Sequence, residues 1–251
     1  MRTPSTPGRP GRPIRIKVVN PNTTASMTTL VEQCARAVAG PGVTVDAVNP
    51  VTGPESIESH YDEALATPGL LAEIAAGEVE GYDGYVIACF GDPGLLAARE
   101  LARGPVVGIA EAAMRSAGYL GRSFSVVTTL ARTIGHAQDI AHAYGVASLC
   151  AGIHACEIPV VELERDPAAR ATILAACHSA LVDDGSDVLV LGCAGMADLC
   201  SWLADELGVP VVDGVAAAVT VVEGLVRAGL RTSKRGELAP PPVKRRSTAY
   251  A

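Results

Sequence analysis

Short β-branched apolar runs alternate with longer Ala/Leu-rich stretches whose apolar positions recur at helical spacing. The runs at 14–19, 43–48, 84–88 and 105–108 read as strands, and a second set follows at 123–128, 152–158, 187–192 and 209–212. Helix-length patterns follow them, for example at 23–39, 134–144, 168–182 and 214–228. Strand and helix in strict alternation imply βαβ crossovers and therefore mainly parallel sheets.

The chain also repeats itself. Laying GYDGYVIACFGDPGLLAAREL from position 81 over GSDVLVLGCAGMADLCSWLAD from position 185 matches Asp83 with Asp187, Cys89 with Cys193 and Gly91 with Gly195. KVVNPNTT from position 17 lies over SVVTTLAR from position 125 in the same way, each a strand that opens into a hydroxyl- or amide-rich loop. Identity is thin, but element order and spacing agree. The expected fold class is α/β, with two similar lobes related by a pseudo-twofold axis, each a mainly parallel sheet flanked by helices, and the active site in the cleft between them.

Composition narrows the function classes. Residues 1–13 and 234–251 hold eight basic groups and one acid, so these ends carry +7 and the body −14 of the net −7. So acidic a body repels phosphate backbones, which argues against nucleic acid as a partner. Both ends are Pro-rich and cannot bury enough apolar surface to offset ordering entropy, so they are expected to be disordered tails. The apolar stretches fall short of the roughly 20 residues of a membrane span, and the first residues lack the apolar core of a secretory signal. The expected compartment is a reducing cytoplasm, where seven cysteines serve as buried thiols, ligands or catalysts rather than disulfides. There is no CxxC pair, the spacings Cys150/Cys156 and Cys193/Cys200 are unlike those of zinc sites, and His60, His136 and His142 form no HExxH, so no metal is expected. No GxGxxG or P-loop follows a strand, which leaves a dinucleotide or ATP cofactor without support.

Ligands of open parallel sheets bind beyond the carboxyl ends of the strands. The segments leaving those ends are NPNTT (20–24), CFGDPG (89–94), TTLAR (128–132) and CAGM (193–196). If the lobes face each other, these four loops enclose one cleft, and Cys89 and Cys193 approach a bound molecule from opposite sides. Two opposed thiols suit the inversion of a carbon stereocentre by 1,1-proton transfer, which needs a base on one face and an acid on the other. Loop amides and helix dipoles beside each cysteine are expected to lower its pKa from about 8.5 toward about 7.5. Within GDPG, Asp92 is expected to cap the helix that follows, with Pro93 at its first position. Cys34, Cys150, Cys156, Cys177 and Cys200 fall in packing positions, and the five histidines are read as structural.

The strings VVNPNTT, SIESHYDEA, CFGDPGL, FSVVTTLARTI and LGCAGM, in this order, resemble the hydantoin racemase family within the wider aspartate/glutamate racemase group. The likeness runs from about Ile14 to Arg231. It implies a cofactor-independent isomerase of 5-monosubstituted hydantoins or allantoin, with Cys89 and Cys193 as acid and base. It places substrate contacts on Asn20 and Asn22, on Phe90 and Gly91, on Thr128 and Thr129, and on Ala194 and Gly195. It also implies that the last helix returns to the first lobe, which gives lobe 1 as 14–112 with about 214–233, lobe 2 as 113–213, and tails at 1–13 and 234–251. The implied partners are a small cyclic ureide and further copies of the same chain in a homo-oligomer. Competing readings are a related one-cysteine decarboxylase or cis–trans isomerase, and a non-catalytic small-molecule binding protein. The second cysteine argues against the decarboxylase, while tight binding without proton exchange marks the binding protein.

Overall fold

The computed structural model describes residues 12–244. Among the described residues, eight strands form two four-stranded, fully parallel sheets. The first contains β1 (Ile14–Val19), β2 (Val43–Val48), β3 (Gly84–Ile87) and β4 (Val106–Gly108) in the order β2-β1-β3-β4. The second contains β5 (Phe124–Thr128), β6 (Cys150–Ala155), β7 (Val188–Gly192) and β8 (Val211–Val212) in the order β6-β5-β7-β8. Both therefore run second, first, third, fourth, as expected of two lobes that repeat one another. The inner strands β3, β5 and β7 are buried along their whole length, so they read as nearly continuous apolar runs rather than alternating ones, with Ser125 and Thr128 of β5 as hydrogen-bonded exceptions.

Helices α1 (Ala25–Val38), α2 (His60–Glu80) and α3 (Leu95–Leu101) belong to the first repeat, and α5 (Ile134–Ala143), α6 (Ala169–Asp184) and α7 (Cys200–Leu207) to the second. The helices that follow the fourth strands cross over. α4 (Ile109–Leu120) lies against β5 and β7, while α8 (Gly214–Arg227) lies against β1, β3 and β4. α8 is tied down at the first lobe by Glu223, which accepts from the Gly40 N–H at 3.0 Å, and by Arg227, which donates to the Pro41 carbonyl at 2.9 Å. One apolar core consequently runs through both lobes, from Ile16, Val18 and Val86 across Met114 and Val215 to Val126 and Val190.

Three expectations are corrected. Strand β6 covers Cys150–Ala155 rather than 152–158, because its register with β5 shifts at Phe124/Ser125 and Glu157 turns into the left-handed region at φ 56°. Asp92 does not cap its own helix. α3 starts after Gly94, and the Asp92 carboxylate instead accepts from the N–H groups of Ala110 and Glu111 at 3.1 and 2.9 Å, capping α4 across the loop. Tyr144 donates its hydroxyl to the same carboxylate at 2.6 Å, so Asp92 joins three elements. Glycine is required at 108 because a β-carbon there would stand 2.1 Å from that carboxylate. Burial pushes the Asp92 pKa up to about 6, against the opposing pull of Tyr144 and the two amides. Replacing Asp92 by alanine strands the Tyr144 hydroxyl and two helix N–H groups, and is expected to cost about 2–4 kcal/mol. Chemical denaturation of Asp92→Ala beside Asp92→Asn, which keeps an acceptor and loses less, measures it.

The third difference concerns the expected tail from 234. Residues 234–244 are described, and Lys234 donates its ammonium to the carbonyls of Arg99 and Glu100 in the last turn of α3, where a helix end attracts a cation. A single turn of 3-10 helix at Gly236–Leu238 then rests on α3. Residues 1–11 and 245–251 of the expected tails lie outside the described residues. Among the described residues, no helix is long and apolar enough to cross a membrane.

Candidate active site

All strands of each sheet point the same way, so the loops after β1, β3, β5 and β7 emerge at one edge of each lobe. They meet at a cavity of about 110 Å³. Cys89, Phe90 and Gly91 enter it from the loop after β3, Cys193 and Ala194 from the loop after β7, Thr128 and Thr129 from the end of β5, and Asn22 from the loop after β1. Eight of the ten residues expected at the site therefore line one cavity. Asn20 and Gly195 do not. Asn20 is fully buried beneath the site, and its amide donates to Asn22 Oδ1 at 2.8 Å and to Thr28 Oγ1 at 3.0 Å. It fixes Asn22, whose oxygen also accepts from the Thr24 N–H at 2.9 Å, instead of facing the cavity itself. Gly195 stands behind Cys193, and its N–H is hydrogen-bonded to the Cys193 sulfur.

The two cysteines occupy equivalent places, each immediately beyond the third strand of its repeat. Both are enclosed by protein yet open to the cavity. The expectation of depressed thiol pKa values is overturned. Burial pushes Cys193 up to about 12, and pushes Cys89 further up. The N–H groups of Gly91 and Gly195 pull each thiol down as the loop chemistry predicts, but desolvation of the thiolate outweighs them. Nearby charge adds to the rise: Glu63 and Cys193 act on Cys89, and Glu58 acts on Cys193. Ionising Cys193 makes ionising Cys89 harder, so the coupling disfavours two thiolates in the cavity at once.

The sequence pointed to the segment at the cavity rim but not to what its side chains meet there. Ser59 begins α2 as an N-cap by accepting from the Asp62 N–H at 3.2 Å, and this turn presents Glu58, His60 and Glu63 to the cavity. From the opposite lobe, His136 on α5 approaches Glu63, with its Nε2 3.0 Å from Oε1 and 3.2 Å from the Gly91 carbonyl. The hydrogen bond to Glu63 raises the His136 pKa, burial opposing it. Glu58 spans the lobes as well, accepting from the Val160 N–H at 2.7 Å. The one signal in the sequence was SIESHYDEA, with three carboxylates and a histidine around a helix start. Its partner, His136, is distant in sequence and nothing in the spacing joins them.

The sequence profile of the Asp/Glu/hydantoin racemases matches residues 16–222. The chain belongs to this family. It is 47% identical to a hydantoin racemase of Rhizobium meliloti over 232 residues, covering 92% of this chain and 96% of that one. Among solved structures, an allantoin racemase from Klebsiella pneumoniae superposes with a TM-score of 0.93 at 52% identity, over 94% of this chain and 97% of that one. An allantoin racemase from Pseudomonas fluorescens superposes with a TM-score of 0.87 at 41% identity, over 93% and 100% of the two chains. These relatives share the two-lobed α/β fold, and the enzyme is accordingly an isomerase of the racemase type.

Proposed function

We propose that the enzyme inverts C5 of 5-monosubstituted hydantoins or of allantoin by a two-base transfer between Cys89 and Cys193, without a cofactor. The observation that carries this reading is the pair of thiols at equivalent strand ends of two facing lobes, both lining one cavity. In one direction the Cys89 thiolate takes the C5 proton, and the electron pair left behind spreads onto the adjacent ring carbonyl as an enolate. The Cys193 thiol then gives its proton to the opposite face of C5. Product leaves with C5 inverted, Cys89 protonated and Cys193 ionised, so the next turnover runs the other way or the thiols re-equilibrate with water. Loop amides beside each sulfur offer donors for the enolate oxygen, of the kind that stabilises charge as it develops.

A neutral cyclic ureide suits the surroundings better than a free acidic amino acid. Glu58 and Glu63 stand at the cavity wall, and only Arg132, His60 and His136 among its lining residues carry or acquire positive charge. A dicarboxylate there meets like charges, whereas a hydantoin ring carries none. The ring carbonyl also acidifies the C5 proton, which lessens the demand on a thiolate base. One-cysteine decarboxylation has no use for the second thiol.

The test starts from single enantiomers of allantoin and of benzyl-, isobutyl- and methylthioethyl-hydantoin, followed by circular dichroism. The expected result is enzyme-dependent decay to the racemate with at least one of them and with no added metal or nucleotide. Stable optical activity with all four contradicts the proposal.

A further inference from the structure

The rim cluster of His60, Glu63 and His136 has a composition that proton transfer at C5 does not call for. We propose that these three side chains form a binding site for a first-row transition ion such as Zn²⁺ or Co²⁺, joining the two lobes across the rim of the cavity. The donor set is two imidazoles and a carboxylate, which suits these ions and not Mg²⁺ or Ca²⁺, and three protein ligands leave a fourth position for water.

The geometry is close to what such an ion needs. One ligand atom from each residue lies within 4.8 Å of the other two. Glu63 sits in the middle, with Oε1 3.0 Å from His136 Nε2 and Oε2 3.5 Å from His60 Nδ1. Ligands at about 2.0–2.2 Å from a tetrahedral ion stand roughly 3.3–3.6 Å apart. The Glu63–His60 separation falls within that range, and the Glu63–His136 separation, now a hydrogen bond, is slightly shorter than it. The two imidazoles meet edge to face with centroids 5.3 Å apart, and the His60 side chain, 78% exposed, is free to swing toward the ion. Neither histidine comes from the same lobe as the other, so a bound ion is a cross-lobe tether.

The cluster is also set tightly against the loop that carries Cys89. A β-carbon at Gly91 would stand 2.3 Å from Glu63 Oε1 and 3.1 Å from His136 Nε2, so glycine at this position is what lets carboxylate and imidazole come together. The ion supplies no step of the racemisation. It holds α2 and α5 together and stabilises the folded chain by mass action.

Thiols also bind these ions, so the experiment uses the full chain with Cys89→Ser and Cys193→Ser. Titration with Co²⁺ is expected to saturate at one equivalent per chain, with the visible bands of a four-coordinate ion and without thiolate charge-transfer absorption. His60→Ala, His136→Ala and Glu63→Gln on this background should each weaken binding by at least about tenfold. Glu63→Gln keeps the shape of the side chain, so its loss of affinity separates ligation from folding. In the parent protein Zn²⁺ should raise the melting temperature, and it should not do so in His136→Ala. Thiolate charge-transfer bands, no binding near one equivalent, or an affinity unchanged by the histidine substitutions overturns the proposal.

Discussion

Replacing either cavity cysteine by serine should stop racemisation and leave half of the proton chemistry running. In Cys89→Ser the enantiomer that presents its C5 proton to Cys193 still loses it to that thiolate. The serine hydroxyl facing the other side is too weak an acid to complete inversion, and the proton returns to the face it left. The variant should therefore exchange C5 of one enantiomer with solvent while racemising neither, and Cys193→Ser should do the same for the opposite enantiomer. A single acid or base group contributes about 10²–10⁴-fold, so racemisation falls by at least about a hundredfold in each variant. The substitutions exchange sulfur for oxygen at the cavity wall and should leave the melting temperature close to that of the parent. Optical decay together with C5 exchange, read for both enantiomers, gives the answer. Racemisation within tenfold of the parent in either variant would remove that cysteine from the chemistry.

The second large effect is on pH dependence. The base form of each cysteine is the thiolate, and burial raises both thiol pKa values, Cys193 to about 12. Well below its pKa, a thiol's ionised fraction grows tenfold for each pH unit. The profile of kcat/KM reports ionisations of the free enzyme. The enzyme-dependent kcat/KM should consequently rise about tenfold per unit from pH 6 to pH 8, about a hundredfold in all, with no plateau in that interval. The partner thiol stays protonated throughout, so loss of the acid imposes no falling limb there. A plateau beginning near pH 7 would mean that the Gly91 and Gly195 amides outweigh desolvation after all.

This contrast marks the boundary of what the chain reveals before folding. The strands and the matched loops at Cys89 and Cys193 were legible, because alternation and the internal repeat are local patterns, and parallel connections force strand ends to one edge. The sign of the thiol shift was not. Loop amides can be read from a strand-to-helix turn, whereas desolvation depends on what the opposite lobe places over the sulfur. The same limit explains Asp92, which looked like a cap for the adjacent helix and instead caps α4, whose start the fold brings beside it. Asn20 and Asn22 belong to one motif, yet only Asn22 lines the cavity, because the buried Asn20 amide is turned to Asn22 Oδ1 and Thr28 Oγ1 inside the loop. Glu63 and His136 became neighbours only once the lobes met. Lys234 shows the converse: composition spoke for disorder, and two carbonyls at the end of α3 supplied a partner.

The most direct test of the two-thiol account follows deuterium in the unaltered enzyme. A single enantiomer of an accepted hydantoin or of allantoin is incubated in deuterated water, and at early times the two enantiomers are separated and their C5 positions analysed, with the enzyme-free rate subtracted. Two opposed bases give inverted product carrying solvent deuterium, while the recovered starting enantiomer keeps its protium. Protium carried into the inverted product, or deuterium entering the starting enantiomer as fast as inversion occurs, would show one group serving both faces and would contradict the pairing of Cys89 with Cys193.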